Sequence, residues 1–139
     1  MDINLADKFI KSISKDTLNG KISWKRMIDL EKLSPNSNEE LYMLMFQNEY
    51  HHVNLTDSFY APITNGTLYI LDETSESGRD GTIISGHSAY IQEEDTYKIF
   101  QVECPQSRIY QLLNSINAYL GKNDMEADNF INLYFQSNN

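Results

Sequence analysis

Apolar positions set the first expectation. Ile3, Ala6, Ile10 and Ile13, with Thr17, fall at helical spacing, and Phe9 widens the stripe. Asp2 suits an N-cap, Asp7 complements the early helix dipole, and Asn19-Gly20 is a stop signal. The stretch Ile22–Leu33 reads two ways: Ile22 and Trp24 alternate like a strand, whereas Trp24, Met27, Ile28 and Leu30 could line a short helix. Ser34-Pro35-Asn36 ends it either way. Ser37-Asn38-Glu39-Glu40 has capping-box spacing before the apolar run Leu41–Phe46, which predicts a helix over Asn38–Tyr50, with a strand as the alternative.

The middle of the chain reads as sheet. Ser58–Ile63 and Thr67–Leu71 flank Asn65-Gly66, the dipeptide of a tight hairpin in which both residues take positive φ. Pro62 cannot donate to a ladder and places its strand at an edge or a bulge. Asp72–Gly81 reads as a polar loop. Thr82–Glu93, broken or bulged near Gly86, and Thr96–Glu103 read as further strands. Pro105 then opens a helix carrying Ile109, Leu112, Leu113, Ile116 and Leu120, with Gly121 as its stop. A second helix from about Asp124 sets Ala127, Phe130, Ile131 and Tyr134 on one side. The expected fold is a single α+β domain: N-terminal helices, an antiparallel sheet of about four strands with an Asn-Gly hairpin, and C-terminal helices packed on the sheet. Asn132–Ser137 matches the core of a protease site of the kind built into expression tags. Residues 131–139 are therefore read as a tag-derived segment or a disordered tail, and no functional weight is placed after Phe130.

Composition narrows the function classes. The chain has 139 residues, 40% apolar, and a formal net charge of -9 from 11 basic and 20 acidic side chains. Such a field repels phosphate backbones, so nucleic acid is disfavoured as a partner. The densest basic cluster, Lys21–Arg26, carries three charges and Trp24, which fits a solvated face beside one buried aromatic. The longest apolar run, Met43–Phe46, is far below the roughly 20 residues of a membrane helix. The amino terminus lacks the basic and apolar regions of a signal peptide, so a cytoplasmic location is expected.

Candidate chemistry is sparse. Glu49 and His52 share a helical face if Asn38–Tyr50 is a helix, and with His87 they would supply the three ligands of an open zinc site. Cys104, the only cysteine, precedes Pro105 and a helix N-terminus, a placement that can activate a thiol. No base or orienting group accompanies it in sequence. Gly78-Arg79-Asp80-Gly81 fits no phosphate-loop pattern. No cofactor is implied. Nine tyrosines are the one feature leaning toward recognition, and Tyr60, Tyr69, Tyr90 and Tyr97 all fall on expected strands. They could form a contact surface, in which case Tyr60 and Tyr69 should be exposed on one face. Cross-strand packing under a helix layer is the competing reading.

The succession Gly20-Lys21-Ile22-Ser23-Trp24-Lys25-Arg26, Leu68–Asp72, Ala89-Tyr90-Ile91-Gln92 and Ile109–Ile116 resembles a group of small uncharacterised bacterial proteins. In that group a leading helix precedes a Gly-x-Ile-x-Trp segment, several strands and a closing helix. The resemblance spans most of residues 1–120 and implies a bacterial origin and an α+β fold, with no activity attached. The leading expectation is thus a non-enzymatic interaction domain whose partner is another protein, a second copy of the chain included. A small metal- or thiol-dependent enzyme, and an acidic decoy or immunity-type protein that neutralises a basic partner, are the alternatives.

Overall fold

The computed structural model describes residues 2–30, 38–46 and 49–137. Helix α1 (Ile3–Leu18) starts as its sequence dictates, with the Asp2 carboxylate accepting from the amides of Asn4 at 3.0 Å and Leu5 at 3.2 Å. Its stripe Ala6, Ile10, Ile13 and Thr17 is buried, and Gly20 takes φ +73° beyond the last turn. The ambiguous stretch resolves as neither full element: Ile22 and Trp24 enter the core, β1 (Lys25–Arg26) follows, and Met27–Asp29 forms one 3₁₀ turn. The stop at Ser34-Pro35-Asn36 and the expected cap Ser37 lie outside the described residues.

Helix α2 (Glu39–Met45) is capped by Asn38, whose side-chain oxygen accepts from the Leu41 amide at 3.2 Å. It ends five residues before the expected Tyr50. Glu49 and Tyr50 form a turn, and His51 already opens β2 (His51–Ile63). Val53 and Leu55 pack into the layer beneath α2, so strand pairing with β3 prevails over a longer helix.

The sheet has five antiparallel strands in sequence order, with β3 (Gly66–Glu76), β4 (Ile83–Glu93) and β5 (Ile99–Val102) completing it. Strand β3 is central, and Leu68, Tyr69, Ile70 and Leu71 are all buried because helices cover both faces. One face sets Phe59, Ala61, Leu68, Ile70, Ala89 and Val102 against α1 and α3 (Gln106–Ser137). The other sets Tyr69, Leu71 and Tyr90 against Met27, Leu41 and Met45.

Several expected boundaries shift. Asp72–Glu76 extends β3 instead of starting a loop, because it pairs on both sides with His51–Asn54 and Ile83–His87. The β3–β4 register is unbroken through Gly86, so the expected bulge is absent there. It lies in β2 instead, between Asn54 and Phe59. Buried Ser58 closes that bulge: its hydroxyl donates to the Asn54 carbonyl at 2.7 Å and accepts from the Asp72 amide at 2.8 Å. In the β2–β3 hairpin only Asn65 takes positive φ (+64°); Gly66 is already a strand residue paired with Ile63. Its glycine answers a different need, since a Cβ there would sit 2.4 Å from the Gln92 carbonyl oxygen.

Helix α3 runs through Gly121 without a stop, so the two expected C-terminal helices are one. Helices α1 and α3 point the same way. Near their starts Arg108 meets both Asp7 carboxylate oxygens, at 2.7 and 3.3 Å, so Asp7, which lies beyond the first turn of α1, joins the two helices instead of complementing the early dipole. Near the end of α1, Thr17–Gly20 lies beside Ala118–Lys122. Inside the layer, Thr17 Oγ1 donates to the Ile13 carbonyl at 2.7 Å and accepts from Trp24 Nε1 at 2.9 Å, which satisfies the buried indole. Among the described residues no helix is long and apolar enough to cross a membrane.

Candidate functional site

The expected metal set does not assemble. Glu49 lies in the turn before β2, so it shares no helical face with His52. His52 pairs with Thr74, and His87 pairs with Asp72, which leaves β3 between the two imidazoles. His87 Nε2 lies 3.1 Å from the Asp57 carbonyl. Among the described residues no group of three or more His, Cys, Asp or Glu side chains is placed to hold a metal ion. Cys104 is half-buried, and burial pushes its thiol up from the ordinary value, with Asp7 adding to the rise and Arg108 opposing it. A thiol raised in this way carries less thiolate at neutral pH, the opposite of an activated nucleophile.

Three of the four strand tyrosines do form a row. Tyr60, Tyr69 and Tyr90 are direct cross-strand neighbours, and the rings of Tyr60 and Tyr69 lie 6.5 Å apart. The row faces α2 and the 3₁₀ turn. Tyr69 is 5% exposed and Tyr90 8%, so both belong to the core and neither offers a contact surface. Tyr60 is half-buried. Tyr97 is exposed in the β4–β5 turn at φ +60°, a conformation that costs a Cβ-bearing residue about 1–2 kcal/mol. Its carbonyl accepts from Gln92 Nε2 at 2.9 Å, which helps to hold the turn.

Two polar clusters sit beneath this layer. Gln92 and Asn38 exchange side-chain hydrogen bonds of 2.8 and 2.9 Å, and the Tyr69 hydroxyl donates to Gln92 Oε1 at 3.0 Å. These bonds tie the start of α2 to the sheet. In the second cluster the Tyr90 hydroxyl meets both Glu73 oxygens, at 2.8 and 3.0 Å. His51 Nε2 lies 3.4 Å from Glu73 Oε1, and His51 Nδ1 is 3.2 Å from the Ser75 hydroxyl. Burial, then the Glu73 hydrogen bond and negative charge, push the Tyr90 hydroxyl well above the usual tyrosine range. The Tyr90 hydroxyl therefore holds its proton firmly and is no activated nucleophile. Sequence reading missed Glu73, because Asp72–Gly81 looked like loop, and it missed His51 and Gln92, whose partners are distant in sequence.

The feature that remains open is a strand edge. Strand β5 pairs only with Ala89–Gln92, so among the described residues no strand pairs with Ile83–Ser88 on that side. The direction of each backbone group follows from alternation: the Glu93 amide donates to Lys98 on the β5 side, so odd-numbered β4 residues point outward. His87 agrees, since its outward carbonyl accepts from Gln106 Nε2 of α3 at 3.0 Å. Among the described residues the outward backbone groups of Ile83 and Ser85 have no such partner. Their side of the sheet carries no lysine, proline or acid between Ile83 and Ser88, and Ile83 and Ile84 are 64% and 70% exposed. The opposite edge differs, being bulged at Asn54–Phe59 and charged at Asp57, whose carboxylate accepts from Asn54 Nδ2 at 3.0 Å. A hollow of about 320 Å³ adjoins the β4 edge, lined in part by Ser85, Gly86, His87, Gln106 and Tyr110. No protein-family model, curated protein or solved structure matches this chain.

Proposed function

We propose that this protein is a non-enzymatic, cytoplasmic interaction domain that takes an extended segment of a partner protein along the free edge of β4. The observation that carries this reading is the outward backbone of Ile83 and Ser85, unpaired among the described residues, on the uncharged stretch Ile83–Ser88, whose register with β3 is unbroken. Strand addition draws affinity from main-chain hydrogen bonds and specificity from side-chain pockets. The hollow beside Ser85 and His87 supplies such a pocket, and exposed Ile84 supplies apolar contact. Charge selects among strands, because a chain of net charge -9 attracts segments flanked by lysine or arginine. The half-buried Cys104 thiol and the Tyr90 hydroxyl, both pushed up by burial, support a binding role over a reactive one.

Peptides selected by display against the purified domain test the reading. Selected peptides should be extended and basic-flanked, and Ser85→Pro should weaken them by about tenfold or more, since proline removes the outward amide. Tyr97→Ala, on the distant turn, should leave them unchanged. Binders indifferent to Ser85→Pro, or a selection that yields none, would remove the β4 edge as the docking strand.

A further inference from the structure

Gly86 lies inside β4, yet the described residues do not call for a glycine there. Its φ is not positive, and a Cβ would meet only the Gln106 Oε1 atom, at 3.7 Å. A glycine inside a strand weakens it, and otherwise marks a bulge, a barrel corner or the close approach of another chain. The sheet is open and its β3–β4 register runs unbroken through Gly86, which leaves the last of these. By alternation Gly86 shares a face with Ile84, Ser88 and Tyr90, and its partner across the ladder is Glu73. With no side chain at this position, the hollow at the edge reaches from Ser85 and Gly86 to Glu73 itself.

Glu73 is short of donors. Its side chain is 12% exposed, and the Tyr90 hydroxyl, with one proton to give, serves both carboxylate oxygens. His51 Nε2, at 3.4 Å, is buried and makes no hydrogen bond. Among the described residues no lysine or arginine pairs with Glu73. A carboxylate this enclosed is stabilised by a further charged donor, the more so once a docked strand excludes water.

We infer, resting on strand addition at this edge, that the docked segment carries a lysine or arginine beside Gly86, its cationic end passing over the glycine to the Glu73 carboxylate. An added strand lies two strand spacings from β3, about 10 Å, and its residue beside Gly86 points to the Glu73 face. Only lysine and arginine are long enough to cross most of that distance and end in a charge. A side chain at position 86 would block the path. Gln106, which donates to the His87 carbonyl, bounds the hollow toward α3. The net charge of -9 draws basic segments to the surface in general, whereas Glu73 fixes where one of their charges goes.

Synthetic peptides and the full chain test the inference. The probe is a capped decapeptide of alternating threonine and valine with one central arginine, and with lysines beyond a glycine linker at each end. Its repeat lets the strand slide until the arginine meets Gly86. Calorimetry should show it binding about tenfold or more tighter than its citrulline counterpart, which keeps the shape and loses the charge. A lysine version should stay within about fivefold of the arginine peptide. Glu73→Gln should bring the arginine–citrulline ratio below about threefold, whereas Glu94→Gln, which removes the same charge on the distant β4–β5 turn, should preserve it. Gly86→Val should also abolish the preference while the thermal transition stays at or above that of the wild type, since a Cβ has room there and valine favours strands. The peptide comparison needs no altered protein, so it decides the matter even where Glu73→Gln loosens the core. Equal binding of the arginine and citrulline peptides, or a preference that survives Glu73→Gln or Gly86→Val, would overturn the inference. If Ser85→Pro still weakens every peptide in that case, strand addition stands and only the Glu73 contact falls. Peptides that bind the wild type no better than Ser85→Pro, or not at all, would remove both.

Discussion

Tyr90 shows how a side chain with catalytic potential is held inert. Its hydroxyl is buried and donates to the Glu73 carboxylate, so the neutral form is favoured on two counts. The stability consequence has a definite sign. A hydroxyl whose pKa is raised by folding contributes fully below the unfolded value near 10 and loses that contribution as pH climbs above it. Stability of the wild type should therefore fall as pH rises above about 10. Tyr90→Phe should be less stable at pH 7 by about 1–2 kcal/mol, because Glu73 loses its donor, yet should decline less over the alkaline range. Chemical denaturation of both proteins across that range reads the difference; parallel curves would show that the Tyr90–Glu73 bond is absent in solution. At the same scale Gly66 shows how a correct signal can have two causes. Asn65-Gly66 announces the hairpin in sequence, but the tight approach of Gln92 to Gly66 depends on β4, which no local pattern reveals.

Among the elements, the edges of the sheet differ in how they are protected. Proline substitution distinguishes outward from inward backbone groups on β4. Ser85→Pro should cost less than about 1 kcal/mol, while Ser88→Pro, whose amide points toward β3, should cost about 3 kcal/mol or more. Urea unfolding of the two variants measures both; equal losses would contradict the assigned strand direction. Elements governed by local chemistry were legible beforehand: the Asp2 cap, the α1 stripe, the hairpin and the buried half of α3 all follow from spacing of three or four residues or from turn residues. Elements governed by distant partners were not. Helix α2 stops at Met45 because His51–Asn54 has a strand to join, and Asp72–Glu76 is strand because it is paired on both sides. The Glu49–His52 pairing failed for the same reason, since it required a helix that tertiary contacts interrupt. The open β4 edge left one trace in sequence, an uncharged run from Thr82 to Ser88, but its meaning depends on how short β5 is.

For the molecule as a whole, the helix layers leave two surfaces of different character. The β4 edge presents backbone hydrogen-bonding groups, and the end of α3 presents an apolar stripe. Neither includes the tyrosine row, which is committed to holding α2 and the 3₁₀ turn against the sheet. A net charge of -9 favours basic partners and discourages random self-contact. Residue-level amide hydrogen exchange, in the free protein and with a bound basic-flanked peptide, tests the docking strand most directly. In the free protein the Ile83 and Ser85 amides should exchange rapidly while those of Ile84 and Gly86, which face β3, are slow; peptide should slow Ile83 and Ser85 selectively. Slow exchange at Ile83 and Ser85 before any peptide is added, or protection that appears only outside Ile83–His87, would contradict it.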